Sequence, residues 1–236
     1  MIKAIIFDLD HTLFDRYKTL EKIVDDHFDE TMFKPDTDPE IAKKEWIYAD
    51  KNFIHFGFGE VFEHLQRKGI VKDGVTKGNF YSDYILPLFM KVAVPFDFTI
   101  PTLEELRRSY KTGLITNGKH DIQAKKIEML GLGDLFDEIM ISDDYGVRKP
   151  DTKLFEIMSE KLGIAPLEML YVGDHPKNDV DASRNAGYTP VWVKTTGTWI
   201  FSDIEKPKLQ IETVAELPEL LETQMSGVVE KFSQNR

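Results

Sequence analysis

The stretch Lys3-Ala4-Ile5-Ile6-Phe7 is short, almost wholly apolar and rich in β-branched residues, and it stops at Asp8-Leu9-Asp10-His11-Thr12. Apolar residues without alternation suit a strand covered on both faces, as in parallel sheets. The pattern returns after a long interval. Thr112-Gly113-Leu114-Ile115 runs into Thr116-Asn117-Gly118, and Glu138-Ile139-Met140-Ile141 runs into Ser142-Asp143-Asp144. Met169-Leu170-Tyr171-Val172 runs into Gly173-Asp174, and Pro190-Val191-Trp192-Val193 ends in the loop Thr195-Thr196-Gly197-Thr198. Helical periodicity lies between them. Ile122–Leu130 places Ala124, Ile127 and Leu130 on one side, and Lys153–Leu162 places Leu154, Ile157, Met158 and Leu162 on one stripe. Asp179–Ala186 reads as a short helix stopped by Gly187. Strands and helices alternating at this spacing predict an α/β fold, a parallel sheet with helices on both faces.

One stretch breaks the alternation. From Tyr17 to Val94 no buried-strand pattern occurs. Helices are predicted over Leu20–Phe28, Ile41–Phe53, Val61–Arg67 and Tyr84–Met90, punctuated by Pro35, Pro39, Gly57, Gly59, Gly69, Gly74 and Gly78. The organisation expected is a core of residues 1–14 and 96–236, interrupted by a helical insert over 15–95. Glu222–Arg236 reads as a loosely held helix or tail, and no repeat of fixed period is visible.

Composition narrows the function. With 236 residues, 42% of them hydrophobic, the chain has material for a sizeable core. It has no cysteine, which excludes disulfides, thiolate nucleophiles, iron–sulfur clusters and cysteine-based zinc sites. Acids outnumber bases by 41 to 30, a net charge of -11, which disfavours a nucleic-acid polymer or an anionic membrane as partner. The best apolar stretch, Tyr84–Phe96, contains Pro87, Lys91 and Pro95, so no membrane span is expected. Only Ala4–Phe7 separate Lys3 from Asp8, too few for a secretory signal core. The expected location is the cytoplasm. Oligomeric state is not legible.

The polar residues that end the strands carry the candidate chemistry. Ligands of open α/β sheets bind just beyond the carboxyl ends of the strands. Asp8 and Asp10, Thr116 and Asn117, Asp143 and Asp144, and Asp174 all fall there, with Lys149 in the loop Arg148-Lys149-Pro150-Asp151. Any one of them is explained by a turn or a helix cap; their gathering at one sheet edge is not. Asp8 and Asp10, two apart, can face the same side, and with Asp174 they form an oxygen-rich pocket. Clustered carboxylates repel one another unless a cation is present, and hard oxygen ligands suit Mg²⁺. Thr116 with the N–H groups of Asn117 and Gly118 offers an anion site at a helix start, and Lys149 balances the charge. The whole suits phosphoryl transfer to a carboxylate nucleophile.

Taken in order, Asp8-Leu9-Asp10-His11-Thr12-Leu13, Ile115-Thr116-Asn117-Gly118, Arg148-Lys149-Pro150-Asp151 and Gly173-Asp174-His175-Pro176-Lys177-Asn178-Asp179 resemble the four motifs of the haloacid dehalogenase (HAD) superfamily. The resemblance spans residues 1 to about 200. It implies a Rossmann-like core, and the insert resembles the family's helical cap, which closes over small substrates. By resemblance, Asp8 is the nucleophile that becomes an aspartyl phosphate. Asp10 is the general acid and then the general base. Asp8, the backbone carbonyl of Asp10, and Asp174 hold Mg²⁺. Thr116, Asn117, Gly118 and Lys149 bind the phosphoryl group, and Asp179 acts from behind the metal or orients Lys149. Asp15 matches a frequent acidic position before the cap, with a helix N-cap as its competing role. The implied activity is Mg²⁺-dependent hydrolysis of a small phosphorylated metabolite, of nucleotide or sugar phosphate type. The alternatives are a 2-haloacid dehalogenase, a phosphomutase of the same fold, and a phospho-accepting receiver module. Asp10 and the intact Gly173–Asp179 segment argue against dehalogenation, and chain length argues against the receiver.

Other features are weighed and set lower. His11 and His175 adjoin motif carboxylates, and no histidine pair has a metal-binding spacing. Gly57-Phe58-Gly59, beside Phe53, His55 and Phe56, is either core of the insert or a loop that meets substrate. Lys43-Lys44 and Lys125-Lys126 are expected on solvated helix faces.

Overall fold

The computed structural model describes residues 1–196, 199 and 201–223. The Thr195–Thr198 loop thus lies partly outside the described residues, and the Glu222–Arg236 tail almost wholly so. Six strands form one sheet: β1 (Ala4–Phe7), β2 (Lys111–Thr116), β3 (Glu138–Ile141), β4 (Met169–Gly173), β5 (Thr189–Val193) and β6 (Leu209–Ile211). Their order is β3-β2-β1-β4-β5-β6, and every pairing is parallel. Phe7 at the end of β1 sits opposite Leu114 of β2 on one side and Val172 of β4 on the other. All of β1 and β4 is buried, as the unbroken apolar runs require of strands covered on both faces. The edge strand β6 was not expected, because three residues reading Leu-Gln-Ile leave no pattern to detect.

The chain divides into two compact units, one of Met1–Phe14 with the chain from Pro95 onward, the other of Asp15–Val94. The second unit is helical: α1 (Arg16–His27), α2 (Pro39–Phe53), α3 (Phe58–Arg67) and α4 (Leu86–Val92). Asp15 caps α1, its carboxylate accepting from the Lys18 N–H at 2.9 Å. The interior holds Phe33, Trp46, Phe80 and a buried ion pair, Arg16–Asp50, bound at 2.7 Å. The Arg16 guanidinium also lies 5.2 Å from the Phe58 ring centre and 4.7 Å from that of Phe89. A delocalised, weakly hydrated cation tolerates such an aromatic sandwich better than an ammonium does. Phe58 further packs on Tyr81 at 4.4 Å, so it belongs to the packing of this unit, whereas Phe56 is 64% exposed. Gly57 turns the chain between them at φ 112°, a conformation L side chains resist.

In the sheet-bearing unit, α5 (Thr99–Leu106) precedes β2, and α6 (His120–Met129) follows it. The short α7 (Ser142–Tyr145) follows β3, with α8 (Lys153–Leu162) after it and α9 (Ala182–Asn185) between β4 and β5. Leu154, Phe155 and Met158 of α8 pack with Ile6, Ile115, Met140 and Tyr171, the strand residues of one sheet face. The helix expected over Asp179–Ala186 is instead a π-helical turn, Pro176–Asp181, continued by α9. That wider turn carries Asp179. No helix of the described residues is long and apolar enough to cross a membrane.

Candidate active site

Strand order reverses beside β1: the chain builds outward from β1 through β2 to β3, then returns to place β4 on the other side of β1. A crevice opens at such a reversal, outside the carboxyl ends of the strands. Asp8 leaves β1 at this edge, its N–H donating to the Val172 carbonyl of β4 at 2.9 Å. Asp174 leaves β4 beside it. Gly173, the last residue of β4, makes room for the third acid: a Cβ there would lie 2.6 Å from Cβ and Cγ of Asp179.

Lys149, 3% exposed, is the cation of the site. Its Nζ donates at 2.7 Å to each of Asp8 Oδ1, Asp179 Oδ1 and the Tyr171 hydroxyl. Three ammonium hydrogens thus meet three acceptors. Asp179 is fixed from its other oxygen, which accepts from the His175 N–H at 2.9 Å. Asn117 staples the Lys149 loop to the β2 loop, its Oδ1 accepting from the Lys149 N–H and its Nδ2 donating to the Lys149 carbonyl, both at 2.9 Å.

Negative charge exceeds positive here. Oxygens of Asp8, Asp174 and Asp179 lie within 4.8 Å of one another, and all three residues are buried. Burial pushes the Asp8 carboxyl up to about 7; Lys149 opposes the rise, and Asp179 and Asp10 add to it. Burial, then repulsion from Asp179 and Asp8, raises Asp174 well above the carboxylate range. Among the described residues none donates a hydrogen bond to the Asp174 carboxylate, while the Trp192 indole N–H fixes its main-chain carbonyl at 2.9 Å. An oxygen-only donor set, an excess of buried negative charge and a carboxylate that receives no hydrogen bond from the described residues together fit a hard divalent cation.

Asp10 turns to a different set of partners. Its carboxylate accepts from Lys126 Nζ at 2.7 and 2.9 Å and from Gln123 Nε2 at 3.1 Å. The same Gln123 nitrogen donates to Thr116 Oγ1 at 2.5 Å. Lys126 therefore departs from the solvated face expected of it. It is 7% exposed, its ammonium 5.4 Å from the Phe14 ring centre, while Lys125 stays exposed and pairs with Glu128. Gly118 differs too: its N–H donates to Ser142 Oγ at 3.0 Å, so that donor is engaged within the protein. His175 caps the following turn, its Nδ1 accepting from the N–H groups of Lys177 and Asn178. His11 is buried, at φ 64°. Gln123, Lys126, Tyr171 and Trp192 escaped the motif reading. Lys126 lies on the buried side of α6 with Gln123 and Ile127, where a lysine needs an anion.

The model of the haloacid dehalogenase-like hydrolases matches residues 5–193, across every strand from β1 to β5. The chain belongs to this family. Glyceraldehyde 3-phosphate phosphatase of Pyrococcus furiosus is 31% identical to this hydrolase over 244 residues, 94% of this chain and 92% of that protein. Phosphoserine phosphatase of Thermus thermophilus is 41% identical over 90 residues, 38% of this chain and 36% of that protein. Among solved structures, the HAD-hydrolase YfnB of Bacillus subtilis, bound to magnesium, shares the fold with a TM-score of 0.70 at 21% identity, covering 93% of this chain and 98% of that one. This HAD hydrolase is a phosphatase, in keeping with the curated relatives it matches.

Proposed function

We propose that this hydrolase cleaves a small phosphate monoester with Mg²⁺, through an aspartyl phosphate on Asp8. The observation that carries the reading is the Asp8 carboxylate at the β1/β4 crevice, bound to buried Lys149 and packed beside Asp174 and Asp179. A carboxylate oxygen of Asp8 attacks phosphorus. The bond from phosphorus to the ester oxygen breaks, its electron pair stays on that oxygen, and Asp10 supplies the proton the leaving group needs. In the second half Asp10 takes a proton from water, the water oxygen bonds to phosphorus, and the bond to Asp8 breaks to release phosphate. Lys149, its hydrogens already directed, acts on the phosphoryl oxygens as a fixed positive charge. Thr116 accepts from Gln123, which leaves its own hydroxyl hydrogen for a phosphoryl oxygen. Asp8, Asp174 and the main-chain carbonyl of Asp10 would hold Mg²⁺, which when bound neutralises the acid cluster and draws charge from the phosphoryl group. Attack on carbon, as in dehalogenation, needs neither the acid–base group nor this excess of buried acid.

The relatives named for glyceraldehyde 3-phosphate and phosphoserine support a small metabolite as substrate. The net charge of -11 speaks against a nucleic-acid polymer. The test is a panel of small phosphate monoesters assayed with Mg²⁺, with acid quenching and intact-mass measurement. The wild-type protein gains one phosphoryl adduct. Asp8→Asn gains none and loses turnover by about 10⁴-fold or more. Appreciable turnover by folded, metal-loaded Asp8→Asn, with deamidation excluded, overturns the assignment.

A further inference from the structure

Both oxygens of the Asp10 carboxylate are engaged from α6. Oδ1 meets Lys126, and Oδ2 meets Lys126 and Gln123. A carboxylate held at one oxygen can still swing about its terminal torsion; one held at both cannot. The orientation of Gln123 is also fixed by chemistry. The Gln123 atom facing Asp10 is the amide nitrogen, a donor, and that nitrogen also reaches Thr116. The clamp is built into the fold at some cost. Lys126 is nearly buried, which an ammonium tolerates only beside an anion, and the anion beside it is Asp10. Gly118 leaves space for the other arm, since a Cβ there would lie 2.7 Å from Gln123 Cγ.

We propose that Lys126 and Gln123 are positioning residues that aim the Asp10 carboxyl at the ester oxygen and tie that aim to the phosphoryl-binding hydroxyl of Thr116. The inference rests on the phosphatase reading and adds two residues to it. It explains why α6 directs a lysine inward on a helix whose other buried positions include Ile127. Neither residue touches the reacting atoms; both act through Asp10 and Thr116.

The first half-reaction reports the difference. Lys126→Met fills the same space without the charge. Single-turnover phosphorylation by an alkyl phosphate, whose leaving oxygen needs a proton, falls by roughly 10–100-fold, a part of what acid–base catalysis supplies. Phosphorylation by an aryl phosphate with an acidic leaving group changes by less than about threefold, because little protonation is required. Gln123→Leu moves the same ratio less, and Lys126→Arg restores most of it. In an Asp10→Asn background Lys126→Met moves the ratio no further, since its route of action is already gone. Equal losses for both leaving groups, or an undiminished Lys126→Met effect in the Asp10→Asn background, overturn the clamp. If Lys126→Met does not fold, Gln123→Leu and Lys126→Arg carry the comparison alone, and an unaltered ratio in Gln123→Leu counts against it. Failure of the underlying reading looks different: the wild-type protein then forms no phosphoenzyme, or Asp10→Asn leaves the leaving-group ratio unchanged.

Discussion

A buried lysine is stable only in the company that neutralises it, and two lysines of this hydrolase show the rule. Lys149 lies between Asp8 and Asp179, and Lys126 lies against Asp10. Removing one partner of such a group leaves the others desolvated and unpaired, typically worth about 3–5 kcal/mol. Lys149→Met is therefore expected to lower metal-free unfolding stability near pH 7 by about that much in urea denaturation, besides abolishing turnover. Tyr171→Phe removes only the hydroxyl that accepts from Lys149 and is expected to cost about 1 kcal/mol. A Lys149→Met protein as stable as Tyr171→Phe would show that the cation does not hold the acid cluster together.

At the scale of elements, the candidate site was legible in the sequence where its residues fall on strand ends. Asp8, Thr116 and Asp174 follow apolar runs that announce themselves, and Asp8 and Asp174 meet because β1 and β4 are neighbours. The stretch from Tyr17 to Val94 shows no buried-strand pattern in the sequence, and the compact unit Asp15–Val94 is built of helices. What stayed hidden depends on tertiary neighbours. The contact of Lys126 with Asp10 joins residues 116 apart in the chain, and a pair of adjacent lysines gives no sign that one turns inward. The π-helical turn at Pro176–Asp181 was equally invisible, because its form is tied to where Asp179 must point. Gly173 shows the same dependence. Ala has no difficulty in a β-strand, yet here its Cβ would strike Asp179 at 2.6 Å. Gly173→Ala is expected to destabilise by about 1–3 kcal/mol through overpacking. A crystal structure of the variant should show Asp179 shifted away from Lys149. An unmoved Asp179 and unchanged stability would show that Gly173 does not set the position of Asp179.

For the molecule as a whole, the acid cluster makes stability depend on pH and on metal together. The folded-state value for Asp8 is about 7 against 3.8 for an unperturbed Asp, and Asp174 is raised as well. The folded protein therefore keeps protons that the unfolded chain releases. The contribution of Asp8 to stability is full below pH 3.8 and is lost as pH rises through about 7, and that of Asp174 has the same sign. Surface carboxylates such as Glu30 and Asp143 have the opposite sign: their cations lower them, and the stability they supply is lost only as pH falls below the ordinary carboxylate range. Between about pH 5 and pH 7 the surface groups are ionised in both states, so the buried acids govern the slope. The metal-free protein is expected to melt at progressively lower temperature across that window, and less steeply as Asp8→Asn, which has one acid fewer to titrate. Mg²⁺ reverses the trend because it binds the ionised cluster in the folded state alone. At about a hundredfold excess over Kd the gain is about 2.7 kcal/mol, several degrees in Tm for a chain of this size. The gain should be larger at pH 7 than at pH 5, where protons compete for the same oxygens. Calorimetry at the two pH values, with chelator and with Mg²⁺, decides the matter. A metal-free Tm that is flat or rises from pH 5 to 7, or a Mg²⁺ gain no larger at pH 7, would mean that Asp8 and Asp174 are not the shared proton and metal site.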